Sequence, residues 1–298
     1  MKTYTSYVND IPRIINNSSS DNVTWGIEMI NDAIRYLVTK YYFNERSYTT
    51  TTTAQTQFYN LPPQIKKLIN LTVSIGGVLW QPKECPTREL WDNLNVVTFY
   101  ADYPSYFFVY NGQVGIYPSP SSGSNTITMN YKTRIPDLSQ ADYSTGTVSI
   151  TTNTATVTGS GTTFTKSMAQ GGWIRLSHSS TDAANGDNQW YEISTWNSTT
   201  SLTLKNLYTG ATVSGASYTI GEVPILPEDY QDLPLYRMGV IYYTTRFPDA
   251  VRAAEYQKLW DDGMARLNEE FGSKTSSVVL QDTDQPIINP NLFLRNVS

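Results

Sequence analysis

Hydrophobic positions fall into three regimes along the chain. Val23, Ile27, Ile30, Ile34, Leu37, Val38 and Tyr41 recur at spacings of three and four, which predicts an amphipathic helix over 22–43, with Ser20 or Asp21 as its cap. Trp25, Met29 and Tyr36 widen its apolar surface, so the helix expects partners on more than one side. Residues 1–20 read as polar and irregular. From Tyr48 the period shifts toward two. Strands are expected at 49–53, 65–75 with a Gly76-Gly77 turn into 78–80, 106–110 and 114–117 around Asn111-Gly112, and 126–133. Pro86 and Thr87 open a short helix over 86–94. Residues 145–221 carry no helical period. They read as six short strands, at 147–151, 155–158, 173–176, 190–194, 201–204 and 217–220.

Helical spacing returns at 227. Pro227 and the carboxylates Glu228 and Asp229 suit a first helical turn, predicting a helix over 227–245. After the Phe247-Pro248-Asp249 break, Ala253, Tyr256, Trp260, Met264, Leu267 and Phe271 form one stripe on a second helix over 249–271, closed by Gly272 and Lys274. The segment 272–298 has neither period, yet it holds Pro286, Ile287, Ile288, Leu292, Phe293 and Leu294. Such anchors on an extended segment fit docking, for instance as an added strand whose apolar side chains enter pockets.

The leading and trailing helices can bury their stripes against each other only if the β segment between them loops out. The expected fold is therefore α+β. A base domain of helices and β-hairpins (1–142 and 223–271) carries an inserted antiparallel β-barrel or sandwich (143–222), followed by a docking tail (272–298). Ile135-Pro136-Asp137 and Val223-Pro224-Ile225 would be the two crossings.

Composition narrows the function. Net charge is −5, with 21 Lys and Arg against 26 Asp and Glu, which argues against a surface that coats nucleic acid. The single cysteine, Cys85, permits no intramolecular disulfide. The N-terminus starts no long apolar run, so no signal peptide is expected, and no membrane span is expected. His178, the only histidine, has no sequence neighbour to complete a triad, and no zinc-ligand spacing occurs. Asp182, Asn185, Asp187 and Asn188 read as a solvated turn rather than a calcium loop. Gly159-Ser160-Gly161-Thr162-Thr163 lacks the lysine and the helix of a phosphate loop. Trp173 and Trp190 are expected in the core of the β domain, with Trp196 as the exposed aromatic. Neither an enzyme nor a cofactor is expected.

Three stretches resemble the head–tail connector, or adaptor, proteins of tailed bacteriophages: the helix over 22–43; the run Tyr110-Asn111-Gly112-Gln113-Val114-Gly115-Ile116-Tyr117-Pro118-Ser119-Pro120 with Ile127-Thr128-Met129-Asn130-Tyr131 behind it; and Ile225-Leu226-Pro227-Glu228-Asp229-Tyr230 with its two helices. Within the insertion, 156–164 and 201–204 look like a β module of phage structural proteins, although many adaptors lack an insertion. The resemblance implies a virion structural protein made in the host cytoplasm. It implies a homo-oligomeric ring, commonly a dodecamer, between the portal protein and tail or tail-nozzle proteins, with genomic DNA passing without sequence-specific binding. On that reading Trp25, Met29, Tyr36, Tyr236, Tyr243 and Trp260 are the expected ring-interface residues, and the anchors from Pro286 to Leu294 dock into the portal or a neighbouring subunit. The alternative is a carbohydrate-binding or host-attachment module using Trp190, Tyr191 and Trp196. A hydrolase built on His178 is the third and weakest reading.

Overall fold

A computed structural model describes residues 1–62, 64–178 and 185–272. The tail anchors Pro286 to Leu294, Lys274 and Asp182 lie outside the described residues. The fold is mixed α+β, as expected, with three sheets and three apolar cores.

The chain opens not on an irregular segment but on a helix, α1 (Tyr4–Ile15). Thr3 caps it, its hydroxyl accepting from Ser6 N–H at 3.3 Å, and Asn16 ends it in the left-handed region at φ 50°. Tyr7, Ile11 and Ile15, four residues apart, are its buried stripe, a signal thinned by the polar residues between them. The next helix, α2 (Ser20–Lys40), is capped one residue earlier than expected, by Ser19. A Cβ at Gly26 would stand 3.0 Å from Ile11, so this glycine lets α1 approach α2 closely.

The chain then enters the first β region, with β1 (Glu45–Thr51), β2 (Phe58–Asn60), β3 (Ile65–Ile75), β4 (Val78–Trp80), β5 (Lys83–Glu84), α3 (Arg88–Leu94), β6 (Tyr106–Tyr110), β7 (Gln113–Tyr117) and β8 (Thr126–Thr133). These strands make two four-stranded sheets, ordered β1-β8-β3-β4 and β2-β7-β6-β5. Leu71, Val73, Ile127 and Met129 from the first meet Tyr59, Phe107, Val114 and Ile116 from the second in one core. Asn111 and Gly112 both take positive φ, 50° and 74°, as the hairpin dipeptide requires. Trp91 of α3 stacks on Phe108 at 5.5 Å and edges Phe58 at 6.3 Å.

The second β region contains β9 (Thr147–Ile150), β10 (Thr156–Ser160), β11 (Gly172–Leu176), β12 (Trp190–Ser198), β13 (Ser201–Leu204), β14 (Val213–Ala216) and β15 (Tyr218–Glu222). They form a seven-stranded antiparallel sheet, β14-β9-β10-β13-β12-β11-β15, curled over its own core as a half-barrel. Six strands were expected. The seventh, β14, is four residues long with Gly215 at φ 71°, too short and too polar to show a period.

The chain returns to the bundle as α4 (Leu233–Ile241) and α5 (Ala250–Phe271). The expected helix over 227–245 is broken up. Pro227 has extended backbone, a 3-10 turn spans Glu228–Tyr230, and α4 runs into a π turn over Tyr242–Arg246. There the Thr244 and Thr245 hydroxyls bond the carbonyls of Val240 and Ile241, at 2.8 and 2.6 Å, competing with the α ladder. Asp249 caps α5, accepting from Val251 and Arg252 N–H at 3.1 Å. Every residue of the stripe from Ala253 to Phe271 packs on the bundle core. Gly272 keeps right-handed backbone (φ −65°), so α5 lacks the left-handed glycine stop.

The passage into the curled sheet, from β8 to β9, and the passage out of it, from β15 to the bundle, both run beside α2. Ile34 shares a small crevice with Pro136, Asp137, Val223, Pro224 and Ile225. Asn31 of α2 donates to Leu138 O at 3.1 Å and accepts from Leu138 N–H at 2.9 Å. The Glu222 carboxylate accepts from Gln140 N–H at 2.8 Å, and Thr3 donates to Asp142 at 2.9 Å.

Candidate assembly surfaces

One groove lies on the bundle. Met29, Ala33 and Tyr36 are spaced by four and three residues and so share a face of α2. With Arg237 and Ile241 of α4 and Trp260 of α5 they line a cleft of about 380 Å³, with Asp32 at its rim. Tyr36 is 54% exposed, and its ring lies 6.5 Å from Trp260. The Arg237 guanidinium stands 5.7 Å over the Trp260 ring. The cleft is apolar, with one cation and one carboxylate at its edge.

Three of the six expected ring-interface residues, Met29, Tyr36 and Trp260, therefore meet in one place. Trp25 lies in a separate aromatic cluster, 5.7 Å from Tyr242 and beneath the Arg246 guanidinium at 5.1 Å. Tyr236 is half-buried against the bundle core, where burial first and Asp232 second raise its pKa. Tyr243 is interior, at 2% exposure. It donates to Ile14 O at 3.0 Å, accepts from Arg252 at 2.7 Å and stacks on Tyr256. An apolar residue on a helix facing two neighbours can point to either, and spacing alone cannot separate them.

The second surface went unnoticed in the sequence. Val78, Leu79, Trp80, Val96, Val97, Phe99, Tyr100 and Tyr103 are between 42 and 78% exposed. Strand register places this belt. Glu45, Ile65 and Thr133 mark the end of the first β region that meets the bundle, while Ile75, Thr51 and Thr126 mark the opposite end. The loop after α3 crosses that far end. Gln57 bonds Asn95 on one side, Ser119 N–H donates to Phe99 O at 3.1 Å in the middle, and Trp80 donates to Pro104 O at 2.6 Å on the other. The available signal was Val96-Val97 in a loop and Val-Leu-Trp directly after a Gly-Gly turn, positions that are ordinarily polar.

The curled sheet leaves little for a ligand. Ile174, Leu176, Tyr191 and Ile193 fill its core, while Trp173 and Trp190 lie half-buried on its outer face. The expected alternation was thus out of phase by one residue, which exchanges the two faces. The Arg175 guanidinium covers the Trp190 ring at 4.9 Å. Trp196 is half-buried and donates to Phe164 O at 3.0 Å. Asp187 is engaged by the Tyr191 hydroxyl and by Gln189 N–H at 3.1 Å, and the Tyr191 pKa is raised by burial first and by that carboxylate second. His178 is exposed, with Nδ1 3.0 Å from Gly186 O. The Gly159 to Thr163 segment leaves β10 in a turn held by Thr162 donating to Thr199 O at 3.0 Å. Among the described residues no three His, Cys, Asp or Glu side chains gather as metal ligands, and no helix is long and apolar enough to cross a membrane.

Lys2 joins α1 to α4. It sits 2.5 Å from Asp10 and 2.9 Å from Asp232. Burial works to lower its pKa, but the two carboxylates outweigh it and the pKa is raised.

A helical bundle whose described residues leave an apolar groove open, joined to a β layer with an exposed apolar tip, fits a protein of the structural, assembly-forming class. The family model for the SU10 adaptor protein matches residues 2–165, more than half of the chain. The chain belongs to that family, a family of phage head–tail adaptors. The match takes in α1, α2, the whole first β region and the first two strands of the curled sheet. A comparison with curated proteins finds no match.

Proposed function

We propose that this chain forms a homo-oligomeric ring, a dodecamer in the usual case, between the portal protein and tail or tail-nozzle proteins of the virion, and that genomic DNA passes through it. The observation that carries the reading is the apolar surface uncovered at two separate places on one chain, the α2–α4–α5 groove and the β tip. A closed ring uses one face of each subunit against a different face of the next, so each copy needs two unlike surfaces. The negative net charge suits a channel that does not grip phosphates.

In this reading 1–142 and 223–271 form the ring body, 143–222 is an outward insertion, and the segment 272–298 docks through Pro286, Ile287, Ile288, Leu292, Phe293 and Leu294 into the portal or a neighbouring subunit. Met29, Tyr36 and Trp260 are the ring contacts the groove supports best.

Native mass spectrometry of the purified chain, of the portal ring and of their mixture tests this. The expected product carries many copies of this chain per portal ring, and a protein cut after Gly272 loses that association while remaining folded. No association at micromolar concentration would overturn the reading.

A further inference from the structure

Among the described residues, the sheet β1-β8-β3-β4 ends in two open edges, with no strand on the outer side of β1 or of β4. Native edges are usually blunted by charge, proline or a bulge. Between Ser47 and Thr51, and from Val78 to Trp80, there is no charged residue and no proline, and the pairings with β8 and β3 run without a register shift. All three β4 residues are exposed, Leu79 at 73%.

The two edges match each other. Leu79 pairs with Ser74, Ser74 with Thr126, and Thr126 with Thr51, so β4 and the last residues of β1 lie level on opposite sides of one sheet. Polarity matches as well. Each pairing across the sheet is antiparallel, so β1 and β3 run one way and β8 and β4 the other. A copy repeated by rotation about an axis along the strands brings its β1 antiparallel to the first copy's β4. In the two-residue hairpin at Gly76-Gly77, Ile75 and Val78 form the hydrogen-bonded pair, which turns the Leu79 backbone outward. Thr49, Thr50 and Thr51 are β-branched and suit a strand paired on both sides.

We infer that the first sheet continues from copy to copy, β4 of one subunit pairing with the Tyr48 to Thr51 part of β1 in the next. This rests on the ring reading above and specifies one of its contacts. The occupant of the β4 edge is a second copy of this chain, because the complementary edge, at the same level and with the right direction, is on the same molecule. The apolar belt beside β4, with Leu79 and Val97 each more than 70% exposed, adds apolar surface to that edge.

Cysteine cross-linking of the full chain tests the inference, alone and mixed with purified portal ring. Leu79→Cys is combined in turn with Thr49→Cys, Thr50→Cys or Thr51→Cys. The native Cys85, 3% exposed, stays in place. Mild oxidation is expected to give a covalent ladder above the dimer for at least one pairing, whereas each single variant stops at the dimer. Oligomers of normal mass that yield no ladder for any pairing would overturn the inference and leave the ring reading standing. Leu79→Cys joined by mixed disulfide to the portal instead would also overturn it, since the edge would then belong to another partner. Failure to oligomerise in either setting, with wild-type protein behaving the same way, would overturn both.

Discussion

The two β regions divide their apolar residues differently. In the curled sheet, Val157, Ile174, Leu176, Leu202 and Tyr208 are fully buried, and Leu207 is the one large apolar residue of residues 143–222 that is strongly exposed among those described. The first β region has a core of similar kind around Leu71, Val114, Ile116, Ile127 and Met129. Around it, Phe58, Ile69, Val109, Tyr110 and the belt from Val78 to Tyr103 stand in solvent. Exposed apolar residues are normal when scattered, but gathered at one end of a layer they mark a surface that is covered in use. The difference suggests that the curled sheet folds for itself, while the first β region is finished only by partners.

The sharpest way to break that comparison is to damage the sealed side. Phe164 is 1% exposed and edges Tyr218 and Tyr143. Phe164→Ala is expected to cost about 3–5 kcal/mol, read from urea unfolding of the full chain. A loss below about 1 kcal/mol would mean that the curled sheet depends little on its own core. A smaller effect is expected at the seam between the two β regions. Asn31 is 8% exposed and holds both backbone groups of Leu138, in the passage from β8 to β9. Asn31→Ala leaves those groups without their partner and should cost about 2 kcal/mol by the same measurement, and Asn31→Asp, which sets a buried carboxylate oxygen against the Leu138 carbonyl, should cost at least as much.

Much of this organisation was legible in the sequence, for a consistent reason. Where one periodic face meets one core, the pattern carries the answer. The stripe from Ala253 to Phe271, the Asn111-Gly112 hairpin and the strand Ile65–Ile75 all stand where the spacing put them. The pattern failed where signals were short or two-sided. The stripe of α1 is three residues deep, and β14 is too short for a period. In β11 and β12 both faces carry large residues, so nothing in the alternation says which face holds Trp173 and Trp190. Surfaces were the least legible. Met29, Tyr36 and Trp260 converge because α2, α4 and α5 pack together, and the β tip is closed by loop contacts with no period, such as Trp80 to Pro104, 24 residues apart in sequence.

The bundle offers a pH-dependent test of how its last helix is held. Tyr230 donates to Glu270 of α5 at 2.6 Å, and that hydrogen bond first, with burial second, pushes its pKa up to about 12. An unfolded tyrosine titrates near 10. Because the folded value is the higher one, this contribution is complete below about pH 10 and is lost as pH rises toward 12. Tyr230→Phe should cost about 1 kcal/mol or less at neutral pH and flatten the fall in stability across that window, measured by urea titration at several pH values.

The smallest effect on stability is expected where the effect on assembly is largest. Val97 is 72% and Leu79 73% exposed, so serine at either position removes few contacts within the subunit. Each substitution should change the unfolding free energy by at most about 0.5 kcal/mol. If the tip is covered in the ring, the same two variants should weaken association at least tenfold, read by sedimentation of the full chain with portal. That pairing of outcomes separates an unfinished surface from a poorly packed one. A residue that supports its own fold loses stability and assembly together, while a residue reserved for a neighbour loses assembly alone. Serine variants that assemble like the wild type would place the tip outside the interface and leave the α2–α4–α5 groove as the surface to test next.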